Sequence, residues 1–191
     1  MTSTNDVRVL LVPGGGNSGP LHWHTHWQAD DPSIERVMQQ GWTGGSREQW
    51  VGALDRHVRS SERPTILVPH SLGCVVVCQW AGTRPASAGP VVGAMLVAPA
   101  DVDAEWPPEG SPYRNFRPMP RGALPFPTVL VASSNDPLLS LPRAREFAQA
   151  WRSRLALVGS LGHIGSDSAL GNWEHGRALL DELIRQARAA R

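Results

Sequence analysis

The 191-residue chain contains no lysine; all eighteen of its basic residues are arginine. That absence excludes a Schiff-base lysine, a P-loop lysine and a Ser-Lys dyad. Any nucleophile has to come from Ser, Thr, Cys or a carboxylate. Long apolar runs are missing too: none approaches the roughly 20 residues of a membrane span. Met1 to Asp6 lacks the basic and then apolar pattern of a signal peptide. With no Asn-x-Ser/Thr site either, the expectation is a cytoplasmic protein without a membrane span. Cysteine is scarce. Cys74 and Cys78 stand four residues apart on a predicted helix, which argues against a disulfide framework and for buried thiols. The net charge is only +1, with acids and bases interleaved and no basic stripe, so nucleic-acid binding is excluded.

What is present suits one domain over residues 1–191: 41% hydrophobic residues and eight tryptophans for a single core. Apolar runs and helical patterns alternate along the chain. Val7 to Val12 reads as a buried strand entering the loop Pro13-Gly14-Gly15-Gly16. A Trp- and His-rich stretch, Leu21 to Trp27, follows, then a weaker strand around Ile34 to Gln40. Ser46-Arg47-Glu48-Gln49 forms a predicted capping box, with Trp50, Val51, Leu54 and Val58 on one helical face behind it. Thr65 to Val68 is a strand, Leu72 to Gly82 a helix, Val91 to Val97 a strand.

From Asp101 to Pro127 the pattern breaks into a proline-rich stretch with Trp106, Tyr113 and Phe116. It is too polar for core and too long for a connection, which makes it a candidate lid or substrate-facing insertion. Thr128 to Ala132 resumes as a strand. Ser140 and Pro142 then open a helix with Ala144, Phe147, Ala148 and Trp151 on one face. A strand at Leu155 to Val158 and an amphipathic helix at Trp173 to Ala190 close the chain. The alternation predicts an α/β fold of about six mainly parallel strands with helices on both faces, in three α/β/α layers.

The chemistry concentrates at Leu67-Val68-Pro69-His70-Ser71-Leu72-Gly73. A serine between a strand and a helix suits a nucleophile elbow, with Gly73 meeting the need for a small neighbour. Pro69 departs from the usual pattern, and a serine there is in isolation also a helix N-cap. A Ser-Asp-His hydrolase needs its acid and then its histidine after later strands. Asp136 follows Thr128 to Ala132, and His163 follows Leu155 to Val158. The backbone N–H groups of Leu72 and Gly15 are the candidate oxyanion-hole donors.

Competing patterns fare worse. Gly14, Gly16 and Gly19 match G-x-G-x-x-G, but no acidic residue closes the second strand, so dinucleotide binding is set aside. His22, His24 and His26 alternate without nearby acidic or Cys partners, and read as surface or supporting histidines with Trp23 and Trp27 packed inward. No metal and no cofactor is expected. Asp101 and Asp103, after the fourth strand, are reserve candidates for the acid. Cys74 and Cys78 read as core, and His70 as structural.

These residues resemble the small serine hydrolases related to retinoblastoma-binding protein 9. The likeness spans nearly the whole chain, through Pro13-Gly14, His22-Trp23, His70-Ser71-Leu72-Gly73-Cys74, Asn135-Asp136-Pro137, Gly162-His163-Ile164 and Gly171-Asn172-Trp173. It implies a compact α/β-hydrolase, common in bacteria, with a triad of Ser71, Asp136 and His163. Gly165 stands where many relatives carry Asn. Leu72-Gly73-Cys74-Val75-Val76 lacks the Glu of a Leu-x-Cys-x-Glu motif, so no retinoblastoma-type partner is expected. The expected partner is a small acyl substrate, an ester or an amide. The alternative is a binding module on a hydrolase scaffold with little turnover.

Overall fold

The computed structural model describes residues 7–83, 89–105 and 107–190; the readings made on Met1 to Asp6 and Trp106 lie outside them. Six strands form one sheet: β1 (Arg8–Val12), β2 (Glu35–Arg36), β3 (Thr65–Pro69), β4 (Val91–Val97), β5 (Thr128–Ala132) and β6 (Arg154–Leu157). Their order is β2-β1-β3-β4-β5-β6, and every pairing is parallel. Among the described residues five helices flank the sheet: α1 (Trp23–Asp30), α2 (Arg47–Arg59), α3 (Leu72–Gly82) and α4 (Leu141–Trp151) lie between strands, and α5 (Glu174–Ala189) follows β6.

Strands β1, β3 and β5 are buried throughout, which is why they read as unbroken apolar runs. Alternate side chains feed two separate cores. Leu10, Val12, Leu67, Leu96 and Leu130 pack against α2, α3 and α4. Leu11, Ile66, Val68, Met95 and Val131 pack against α1 and α5 on the other face. The result is three α/β/α layers. At the start of α2, Ser46 accepts from Gln49 N–H while the Gln49 side chain accepts from Ser46 N–H, so the capping box is present. Ala144, Phe147, Ala148 and Trp151 are all buried on α4.

Three differences from the sequence reading have physical causes. The second strand pairs only over Glu35–Arg36 rather than Ile34 to Gln40, because from Met38 the chain turns to α2, Met38 N–H donating to His57 Nε2 and Gln39 Nε2–H to Trp50 O. Its short edge is held by the buried Arg8, whose Nε and Nη2 donate to both Glu35 carboxylate oxygens (2.8 and 2.6 Å). Val51 is half-buried, and Ala53 takes the inner position on α2 instead. The stretch after β4 is not merely a polar excursion: Val102, Phe116 and Met119 enter the core beside α2, α3 and α4. Arg143 of α4 fastens that stretch from outside, donating to both oxygens of buried Asp101 (2.5 and 3.0 Å).

The chain runs from β1 outward to β2, then returns across β1 to β3. The strand order therefore reverses between β1 and β3, and a crevice opens at their carboxyl ends, where open α/β sheets bind ligands.

Candidate active site

Ser71 lies at that crevice, immediately after β3. Its backbone sits at φ 55° and ψ −124°, a strained conformation for a residue with a Cβ, as a sharp strand-to-helix turn demands. The turn is possible because Gly73 lets α3 press on the end of β1: a Cβ there would lie 2.1 Å from the Val12 carbonyl oxygen. Pro69 fits for a definable reason. His70 N–H donates to Val12 O on the β1 side and Ser71 N–H to Val97 O on the β4 side. By alternation, residue 69 would donate toward β4. The β3–β4 ladder is interrupted there, between Leu67 and the isolated bridge at His70, so the missing donor costs nothing.

The structure brings Ser71, His163 and Asp136 together. His163 Nε2 is 2.7 Å from Ser71 Oγ, and its Nδ1 is 2.9 and 3.0 Å from the two Asp136 oxygens. With Nδ1–H donating to the carboxylate, Nε2 is left to accept the Ser71 hydroxyl proton. The Asp136 side chain is fully buried, and Leu138 N–H donates to it at 2.8 Å.

Residues around the three hold this geometry: Ser133 and Asn135, whose bonds the sequence did not foretell, and Trp23 and His70. Asn135 Oδ1 accepts from Gly162 N–H (2.7 Å), and Ser133 Oγ from Leu161 N–H (2.8 Å), stitching the Asp136 loop to the His163 loop. Trp23 Nε1–H donates to Ile164 O at 2.8 Å. His70 Nε2–H donates to His163 O at 2.8 Å. His70 thus turns away from the Ser71 hydroxyl, into a supporting role.

Of the two readings of the alternating histidines, surface or supporting, the supporting one holds for His22 and His24. His22 caps α1 and is buried, as is His24; only His26 is half-exposed. They are inward because α1 packs its first turn against β3 and the elbow. His24 N–H donates to His22 Nδ1 (3.1 Å), which leaves His22 Nε2–H to donate to His70 Nδ1 (3.3 Å). Both rings are neutral in that chain. Burial, then Arg36 and His163, lowers the His22 pKa to about 3, and burial also holds His24 and His70 well below the usual histidine range. Among the described residues no group of three His, Cys, Asp or Glu could hold a metal ion.

The other candidates settle elsewhere. Asp101 is committed to Arg143, and Asp103 accepts from Met119 N–H at 3.1 Å. Cys74 and Cys78 are buried free thiols, their pKa values pushed up by burial. No helix of the described residues is long and apolar enough to cross a membrane.

A cavity of about 720 Å³ opens over Ser71 and His163. Its far wall includes Tyr113, from the stretch after β4. Tyr113 O–H donates to Trp42 O (3.2 Å), the carbonyl that also accepts from Gly16 N–H (3.0 Å). The glycine loop after β1 is thereby tied down beside the serine. Gly14 borders the elbow so closely that a Cβ would lie 2.8 Å from Ser71 Cβ and 3.2 Å from Leu72 N.

A family model described as serine hydrolase matches residues 9–182. The chain belongs to the serine hydrolase family. Among solved structures, this serine hydrolase is similar to a YdeN-like hydrolase from Pectobacterium atrosepticum. The two share 33% identity over 97% of this chain and 91% of that one, with a TM-score of 0.79. The ydeN gene product of B. subtilis is 16% identical over 93% of this chain and 98% of that one, with a TM-score of 0.73. The type II thioesterase BorB shares the fold at 15% identity and a TM-score of 0.65, over 97% of this chain and 93% of that one. No curated protein matches the chain.

Proposed function

We propose that this serine hydrolase cleaves carboxylic esters, and amides as the harder substrates, through a Ser71-His163-Asp136 triad and an acyl-enzyme intermediate. The observation that carries the reading is the position of His163, one hydrogen bond from Ser71 Oγ on one side and from Asp136 on the other. In the first half-reaction Ser71 Oγ attacks the acyl carbonyl as His163 Nε2 takes its proton. The same nitrogen then protonates the departing oxygen or nitrogen. Asp136 keeps the proton on Nδ1 and stabilises the imidazolium. Water, deprotonated by His163, next attacks the acyl-serine and regenerates the free hydroxyl.

The developing oxyanion is assigned to Leu72 N–H, at the start of α3, and Gly15 N–H. Two observations support this assignment. A Cβ at residue 14 would crowd the Leu72 amide (3.2 Å), and one at residue 15 would strike the Tyr113 hydroxyl (2.7 Å), so this loop packs against the elbow and the cavity wall only with glycine at both positions. No step requires a cofactor. The stretch 101–127 faces substrate through Tyr113.

A fluorophosphonate probe tests the reading. Wild-type protein is expected to label stoichiometrically at Ser71, and Ser71→Ala not at all. Asp136→Asn should retain the fold but lose about 10⁴-fold in kcat. Folded wild-type protein that takes no label, and binds acyl compounds without turnover, is a binding module instead.

A further inference from the structure

Eighteen arginines are spread along the chain, yet no described arginine lines the cavity over Ser71. Among the described residues that line it, Asp167 is the only carboxylate. The histidines beside it, His22 and His70, are neutral in the hydrogen-bond chain described above. The cavity wall thus offers a negative charge with no fixed positive charge to offset it.

Asp167 also sits on a definable side of the cavity. The leaving atom has to come within reach of His163 Nε2 to be protonated. That half of the substrate therefore lies against the segment carrying His163, which continues into the 3-10 turn Ser166–Ser168. The turn holds itself without help from the carboxylate. Ser168 Oγ donates to Leu161 O (2.6 Å) and accepts from Gly165 N–H (3.2 Å). The Asp167 side chain is exposed, and among the described residues it takes part in no hydrogen bond or ion pair. Nearby hydroxyls from Ser160 and Ser166 make the same wall polar.

We infer that Asp167 selects esters and amides whose leaving group carries a positive charge, such as an amino alcohol or a diamine, and disfavours anionic leaving groups. The inference rests on the hydrolase reading of Ser71. An acidic wall raises the local concentration of a cationic substrate and contacts its ammonium group once bound. It repels phosphate- or sulfonate-bearing thiols to a similar degree.

The test compares three thioacetates of matched size, followed by thiol release: acetylthiocholine, its neutral 3,3-dimethylbutyl counterpart and an anionic sulfonatoethyl thioacetate. For wild type, kcat/KM is expected to fall in the order cationic, neutral, anionic, by about two- to fivefold per step, as suits an exposed charge pair. The steps should shrink as salt is raised. Asp167→Asn should bring the ratios close to one, and Asp167→Arg should invert them. Because the readout is a ratio within one variant, a general loss of activity does not imitate it. Equal rates in wild type, or ratios unchanged in Asp167→Asn, overturn the inference while leaving the hydrolase reading intact. No turnover of any of the three, together with no fluorophosphonate labelling, overturns both.

Discussion

The His70 ring donates from Nε2 to the backbone carbonyl of His163, 2.8 Å away and 93 residues on in sequence. The neighbour of Ser71 thus holds the main chain of His163. Replacing His70 by Phe keeps the ring volume and removes that bond. The expected result is a fall in kcat of up to about 100-fold, the scale of a misplacement near 1 Å, with KM less affected. Steady-state kinetics on protein shown to be folded by its melting transition checks this.

The buried neutral histidines make stability depend on pH. An unfolded histidine takes up a proton near pH 6.5, whereas His22 in the folded chain does so near 3. Between those values the unfolded state binds more protons, so stability is full above pH 6.5 and falls as the pH drops toward 3. Each such histidine contributes a slope of about 1.4 kcal/mol per pH unit. His24 and His70, shifted in the same direction, steepen it. Urea midpoints at pH 8, 7, 6 and 5 should decline below pH 6.5; a flat profile would show that these rings are not buried neutral.

Two glycines near the elbow should fail differently on substitution by Ala. Gly73→Ala forces a Cβ onto the Val12 and Pro13 carbonyls (2.1 and 2.9 Å), atoms that cannot yield without moving β1. A loss of about 3 kcal/mol or more in stability is expected, the range for overpacking or backbone strain. Gly14→Ala crowds the Ser71 Cβ and the Leu72 amide instead. Its expected effect is on rate, about 100-fold or more in kcat if the Leu72 amide is the oxyanion donor we propose and is lost. Thermal melts beside kinetics separate the two.

Asp101 and Asp136 provide a further contrast. Both follow a strand of the sheet and both are buried, but Asp101 holds Arg143 and Asp136 holds His163. Asp101→Asn should lower stability by about 1–3 kcal/mol, less than for a fully buried ion pair because Arg143 is partly exposed. Fluorophosphonate labelling of Ser71 should persist. Labelling lost in Asp101→Asn but kept in Asp136→Asn would reassign the acid.

Much of this architecture was legible from local pattern. Strand and helix periods, the capping box at Ser46 and the face of α4 depend on residues within a few positions of one another. So does the placement of Ser71, Asp136 and His163 after β3, β5 and β6, and a parallel sheet carries all strand ends to one edge. Contacts across that edge were not legible, because they depend on which strands become neighbours. Only with β1 beside β3, and α1 packed over both, do His22 and His24 become buried and neutral and does His70 reach the His163 carbonyl. The same holds for Phe116, which reads as part of a polar excursion yet fills the core beside Trp50 once the stretch after β4 folds back over α2. Sequence by itself determined the α/β alternation and the chain order of Ser71, Asp136 and His163. Tertiary structure decided what surrounds and orients them, since burial and long-range hydrogen bonding arise only when distant segments pack.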